Sequence, residues 1–165
     1  MEERLWRILD NVNRWLEYAE RKNAILLTFI GLQLTFFKIF IGSPNFWLII
    51  ALILLGICFF IILFSFFPKT SIPYWIYSWS NPISSPRVTD NLIFYGDISK
   101  YSLQDYIEKL EKYFDEQIST HNHLNDICSQ ILINSQLAKR KYNMFKAATW
   151  FMIAGQLFFL FSFWR

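Results

Sequence analysis

The sequence predicts an all-α membrane protein: three transmembrane helices with a cytosolic helical extension. Three observations predict it. Charged residues are nearly absent from three apolar blocks, which hold only Lys38 and Lys146, and crowd into the rest of the chain. Gly and Pro are scarce, five of each in 165 residues, which argues for long helices over many short strands. The polar segments repeat their apolar residues at three- and four-residue spacing. Composition alone decides less. Hydrophobic residues make up 54% of the chain, close to the share in soluble domains, so the distribution carries the argument. A length of 165 residues suits one domain, and a net charge of +3 is too small to suggest a DNA- or RNA-binding protein.

Residues 1–23 read as a cytosolic amphipathic helix. Leu5, Ile8, Leu9, Val12, Trp15, Leu16 and Ala19 form one apolar stripe, opposite Glu3, Arg7, Asp10, Arg14, Glu17 and Arg21. Five acidic and five basic residues precede the first apolar block, unlike the short basic start of a secretory signal. No helix breaker separates Ala19 from Ala24, so the same helix is expected to run into the first span, residues 24–41, where only Gln33 and Lys38 are strongly polar. The joined helix would be about 55 Å long. Gly42, Ser43, Pro44 and Asn45 form an uncharged turn, which makes the first two spans a hairpin. The second span, residues 46–67, has no charged residue and the roughly 20-residue length that hydrocarbon requires.

Residues 68–143 form the expected cytosolic insert, an aromatic and Pro-containing loop followed by two helices. Pro68, Pro73, Pro82 and Pro86 rule out a long regular helix at the start. Tyr74, Trp75, Tyr77 and Trp79 suit a segment lying against lipid headgroups. The run from Asn91 to Ile98 is too short to be read as an independent helix. Ser102, with Asp105 three residues on, opens a helix with Leu103, Tyr106, Ile107, Leu110 and Phe114 on one face. That helix is expected to end within residues 119–122. A last helix carries Leu124, Ile127, Cys128, Ile131, Ala138, Tyr142 and Phe145 on one stripe, with Ser135 small enough for a helix contact. It meets no Gly or Pro before Gly155 and continues into the third span, residues 144–164. Arg21, Lys22, Lys69, Lys139, Arg140 and Lys141 flank the spans on one side. The positive-inside rule therefore puts the N-terminus and the insert in the cytosol and Arg165 outside.

Signs of catalysis are missing from the sequence, and the expectation is a protein that is not an enzyme and needs no cofactor. His121 and His123 stand without ligand-spaced Cys, so no metal site is expected. There is no Gly-rich phosphate loop and no nucleophile elbow. Cys58 and Cys128 read as free thiols, and Asp97, Asp105 and Asp126 as solvated charges. Gln33, Lys38 and Gln156 are the polar groups within the spans, and interhelical hydrogen bonding or snorkelling accounts for them.

Several stretches together resemble the transmembrane effectors of Pycsar antiphage defence. They are Leu9-Asp10-Asn11-Val12-Asn13-Arg14-Trp15-Leu16, Ala19 to Ala24, the run ending Tyr95-Gly96-Asp97-Ile98, then Tyr101, Tyr106, Gln130-Ile131-Leu132 and Lys139-Arg140-Lys141-Tyr142. Their order and spacing, from about Leu5 to the third span, carry the likeness. The resemblance implies a bacterial protein, which puts the three spans in the inner (cell) membrane as a multi-pass protein. Three spans with few charges cannot line a wide aqueous path alone, so a toxic lesion is expected to need a homo-oligomer. The implied trigger is a cyclic nucleotide, a cyclic pyrimidine mononucleotide made by a partner cyclase. The implied outcome is impairment of the membrane and abortive infection. The implied partners are the lipid bilayer and that nucleotide, not DNA or RNA. A constitutive membrane adaptor or scaffold holding a soluble partner is the competing reading, with a small transporter behind it. A mononucleotide needs cations, a stacking surface and polar edges. Arg87, Asn91, Phe94, Tyr95, Asp97 and Tyr101 supply all three within a short run, so they are the expected ligand site. Lys139, Arg140 and Lys141 form the expected membrane-proximal basic group. A structural role competes for each: Phe94 and Tyr95 as a cap on the bundle core, Arg87 as a partner of Asp90, and the basic triplet as an anchor for the third span.

Overall fold

The computed structural model describes residues 1–37, 45–67, 85–118 and 122–163. The described residues form five helices and no strand: α1 (Glu2–Phe37), α2 (Phe46–Ser65), the single turn α3 (Tyr95–Ile98), α4 (Leu103–Phe114) and α5 (Asn122–Phe161). The chain divides into two compact units. The first comprises Met1–Ala19 and Pro73–Lys141, the second Glu20–Ile72 and Tyr142–Arg165. Helices α1 and α5 each contribute to both.

In the first unit the core is built from the predicted stripes. Leu5, Ile8, Leu9 and Val12 of α1 are buried with Tyr106, Ile107 and Leu110 of α4 and Ile127, Cys128, Ile131 and Leu132 of α5. Leu92, Ile98, Tyr101 and Ile118 close the core from the connecting segments. Burying an aliphatic side chain stabilises by about 1.5–3 kcal/mol, so this shared core is what fixes the loop preceding α3. Trp15 departs from the expected stripe and lies 38% exposed. Its ring packs at the surface on Phe94 and Tyr95, with centroids 6.2 and 5.5 Å away.

Local capping explains where the helices begin and end. The Ser102 hydroxyl accepts from the Asp105 backbone N–H at 3.2 Å and donates to the Asp105 carboxylate at 2.6 Å, which starts α4 as the sequence predicts. Helix α4 ends at Phe114, earlier than expected. Asp115 takes a left-handed conformation, φ 55°, and stops it, and the Glu111 side chain turns back to accept from the Ile118 N–H at 2.6 Å. The run after Asp90, too short to be read as a helix, does contain one turn, α3.

The second unit holds the apolar blocks. Leu26 and Ile30 of α1, Cys58 and Ile62 of α2 and Ala148 of α5 form its core. Asn45 caps α2 by accepting from Leu48 N–H at 2.9 Å and donates to the Ser162 carbonyl at 2.7 Å, joining the start of α2 to the end of α5. At Gly155 the two helices approach closely: a Cβ there would lie 3.1 Å from Leu55 Cγ. Cys58 donates to the Ala148 carbonyl at 3.1 Å. Two described helices, Phe46–Ser65 and Asn122–Phe161, are long and apolar enough to cross a membrane. Of the block 24–41, α1 covers residues through Phe37. Lys38, the turn at 42–44, the aromatic segment 68–84, His121, Trp164 and Arg165 lie outside the described residues.

Candidate functional site

The segment from Arg87 to Tyr106 belongs to the first unit, and five hydrogen bonds give it a fixed shape. The Asn91 side chain accepts from Ile93 N–H at 2.9 Å, and Asn91 N–H donates to Asp97 at 3.1 Å. Asn11 of α1 donates to the Ile93 carbonyl at 3.1 Å. Tyr101 and Lys109 both donate to the Arg87 carbonyl, each at 3.2 Å.

An ion-pair group sits at the centre of this segment. Lys100 Nζ lies 2.7 Å from Asp90 Oδ1 and 2.5 Å from Asp97 Oδ1, and the second Asp90 oxygen accepts from Arg87 N–H at 2.7 Å. The side chains of Asp90 and Lys100 are only 4% and 17% exposed. Burial pushes the Asp90 carboxyl upward, but the hydrogen bonds from Lys100 and Arg87 outweigh it and hold the group below the usual carboxylate range. Its hydrogen bond to Asp90, then that to Asp97, raises Lys100 above the ordinary lysine range. Asp97 is therefore not the solvated charge the sequence suggested, and Asp90 takes Lys100 as its ion-pair partner. Lys139 of α5 feels the same group. Burial, followed by the Lys100 charge, lowers its pKa, and Asp97 offsets part of that.

The six expected ligand residues divide. Asn91 and Asp97 are joined by a hydrogen bond and hold the loop. Tyr101 is 5% exposed and belongs to the core, with the Lys109 ammonium 5.5 Å above its ring. Phe94 and Tyr95 pack on each other at 4.6 Å and on Trp15. Gly96 makes room for this arrangement, since a Cβ there would meet the Phe94 ring at 2.5 Å. Arg87 is exposed. Tyr106 is fully buried and donates to the Leu92 carbonyl at 3.0 Å, and burial pushes its hydroxyl pKa well above the ordinary tyrosine range. Within the basic triplet Arg140 is buried, while Lys139 and Lys141 are half-buried.

Beside the segment lies a cleft of ≈ 630 Å³, lined by Val88, Asp90, Asn91, Leu92, Ile93, Lys109, Lys112, Tyr113 and Phe114. Only Asn91 of the six expected residues lines it. Lys109, Lys112 and Tyr113 were missed because they lie on α4, whose outward face reads in sequence as an ordinary solvated surface. The one available signal was their i, i+3, i+4 spacing, which puts them on neighbouring positions of one helix side. Among the described residues no group of His, Cys, Asp and Glu could hold a metal ion. His123 instead faces Glu2 at 3.4 Å and the Trp6 ring at 6.5 Å.

A family model described as the Pycsar effector protein domain matches residues 4–165 of the chain. Among curated proteins and among solved structures, nothing matches.

Proposed function

The chain belongs to the Pycsar effector family, and from that premise we propose that it is a non-enzymatic membrane effector of bacterial antiphage defence. Its trigger is a cyclic nucleotide, with a cyclic pyrimidine mononucleotide as the leading candidate, and its action is to impair the inner membrane and abort the infection. The observation that carries the reading is the extent of the family match, from residue 4 to residue 165, which takes in both compact units. Membership implies a cyclic nucleotide signal from a partner cyclase. The two long apolar helices, α2 and α5, support membrane association.

Three spans cross the bilayer in this reading, the first being the apolar block that α1 covers through Phe37. The N-terminus and the insert face the cytosol, as the Lys and Arg placement favours. A cysteine probe at position 43 should then be labelled from outside the cell and one at position 120 should not, and the reverse pattern would overturn this orientation. Sensing belongs to the first unit, which holds the polar and aromatic groups that a nucleotide needs. A signal acts only if it binds one state better than another. Helices α1 and α5 each run from that unit into the apolar one, so a bias in the first has a covalent route to the second.

The test is thermal unfolding of the purified full-length protein in detergent with a panel of cyclic nucleotides. A ligand that binds only the folded state raises the midpoint with concentration. The expected result is a dose-dependent rise with cyclic CMP or cyclic UMP and none with inorganic phosphate. A flat response to the whole panel would remove the nucleotide from this reading.

A further inference from the structure

We propose that the nucleotide seats in the α4 cleft, with Lys109 and Lys112 holding its phosphate and Tyr113 stacking on its base. The inference rests on the reading that a cyclic nucleotide is the signal, and it gives that signal a site that takes in only Asn91 of the six residues the sequence favours.

Size comes first. A cleft of ≈ 630 Å³ lies within the range of about 300–1,000 Å³ usual for small-molecule sites. Charge comes second. Asp90 lines the cleft, but Lys100 and the Arg87 N–H already occupy its two oxygens at 2.7 Å each. Lys109 donates to the Arg87 carbonyl, a neutral acceptor that leaves its positive charge uncompensated. Lys112 is exposed and makes no ion pair among the described residues. The cleft therefore offers two cations without a carboxylate partner to an anion, and both oxygens of the acidic residue among its walls are already hydrogen-bonded.

The apolar wall is the third observation. Tyr113 is 67% exposed, Val88 92% and Ile93 45%, and all three line the same cleft. Water-exposed apolar groups beside uncovered lysines fit a ligand with an anionic end and a flat ring. A bare phosphate would leave these groups in water. By contrast, Trp15, Phe94 and Tyr95 already pack on one another. Tyr101 is buried in the core. Asn91, already fixed by its bonds to Ile93 and Asp97, forms part of the cleft wall and holds the loop edge in place.

The experiment measures binding of cyclic CMP and cyclic UMP to the full-length protein in detergent, by titration and by thermal shift. The variants are Lys112→Glu, Lys112→Gln and Tyr113→Ala, with Arg87→Ala and Tyr95→Ala at the alternative position. Lys112 and Tyr113 are exposed, so the ligand-free midpoint should stay at the parent value, and Lys112→Gln guards against a charge reversal that disturbs folding. Each cleft variant is expected to bind about tenfold weaker or worse, the scale of a lost stacking or charge contact. Parent affinity should also fall as salt is raised. If the parent binds a cyclic nucleotide and the cleft variants bind it equally tightly, the cleft assignment is overturned and the nucleotide reading stands. Loss of binding only in Arg87→Ala or Tyr95→Ala moves the site to the loop and likewise overturns the cleft. A parent that binds neither nucleotide ends both inferences together.

Discussion

Asp90 shows what a residue's sequence position conceals. In the chain it is one acidic residue in a polar stretch, with Arg87 three positions away as the obvious partner. In the folded unit its carboxylate is almost fully enclosed, and the partner is Lys100 on the far side of α3. Nothing in the local pattern announces this, because the pairing depends on Leu92 and Ile98 entering the core and folding the loop back on itself. Lys100 and Asp97 stand three residues apart, yet the sequence suggested a solvated charge at Asp97. Removing Lys100 strands a buried charge, so Lys100→Met should destabilise the first unit by about 1–3 kcal/mol. The pH dependence follows from the two shifts. Asp90 is depressed in the folded protein, so its contribution is present above the ordinary carboxylate range and is lost as pH falls through the folded value. Lys100 is raised, so its contribution is complete below the ordinary lysine range and is lost as pH rises through its folded value. The midpoint gap between parent and Lys100→Met should therefore be full at neutral pH and shrink in acid, below about pH 4. A gap that stays constant between pH 7 and pH 3 would show that the pair contributes nothing through its charges.

At the level of elements, the sequence was most informative where one residue's chemistry sets the outcome. Ser102 starts α4 because its hydroxyl satisfies an otherwise unpaired helix N–H, and that was visible from the Ser102 and Asp105 spacing. The end of α4 was less visible. No Gly or Pro marks it, and the apolar face continues to Phe114, so the pattern allowed the helix to run on. The chain instead stops at Asp115, which adopts φ 55° despite its Cβ. Asp tolerates this conformation better than most residues, but glycine is better still. Asp115→Gly should keep the turn and raise the thermal midpoint slightly, with a gain of up to about 1 kcal/mol partly offset by the greater freedom of glycine in the unfolded chain. Asp115→Val should lower the midpoint, since β-branched side chains fit the left-handed region worst. If the two variants melt alike, the conformation at Asp115 does not limit stability. Helix α5 teaches the same lesson in reverse: with no breaker before Gly155, one helix continuing into the third apolar block was the expectation, and an unbroken helix of 40 residues forms.

For the whole molecule, the three glycines of the apolar blocks lead to a prediction about assembly. Gly155 has a partner inside the chain, because a side chain there would press on Leu55 and Ala51 of α2. Gly31 and Gly56 do not: among the described residues a Cβ at either would meet nothing within 4 Å. Glycine within a helix costs about 1 kcal/mol relative to alanine, and packing among the described residues of the single chain gives nothing back at these two positions. In membranes, small residues on a helix face let a second helix approach closely. A second copy of this chain is the simplest source of that helix, and the proposed activity also requires one. In the proposed reading, three spans with few charges cannot line a wide aqueous path alone, so the proposed membrane damage would need several copies, as in a closed ring. The sequence showed all three glycines as equivalent; only the packing of α2 on α5 separates them. Gly56→Leu should therefore leave the monomer fold and its thermal midpoint near the parent values while reducing crosslinked oligomers and toxicity in cells. Gly155→Leu should do the opposite first, lowering the midpoint because Leu55 has little room to withdraw. Oligomer formation and toxicity unchanged in both Gly31→Leu and Gly56→Leu would show that copies meet elsewhere or not at all.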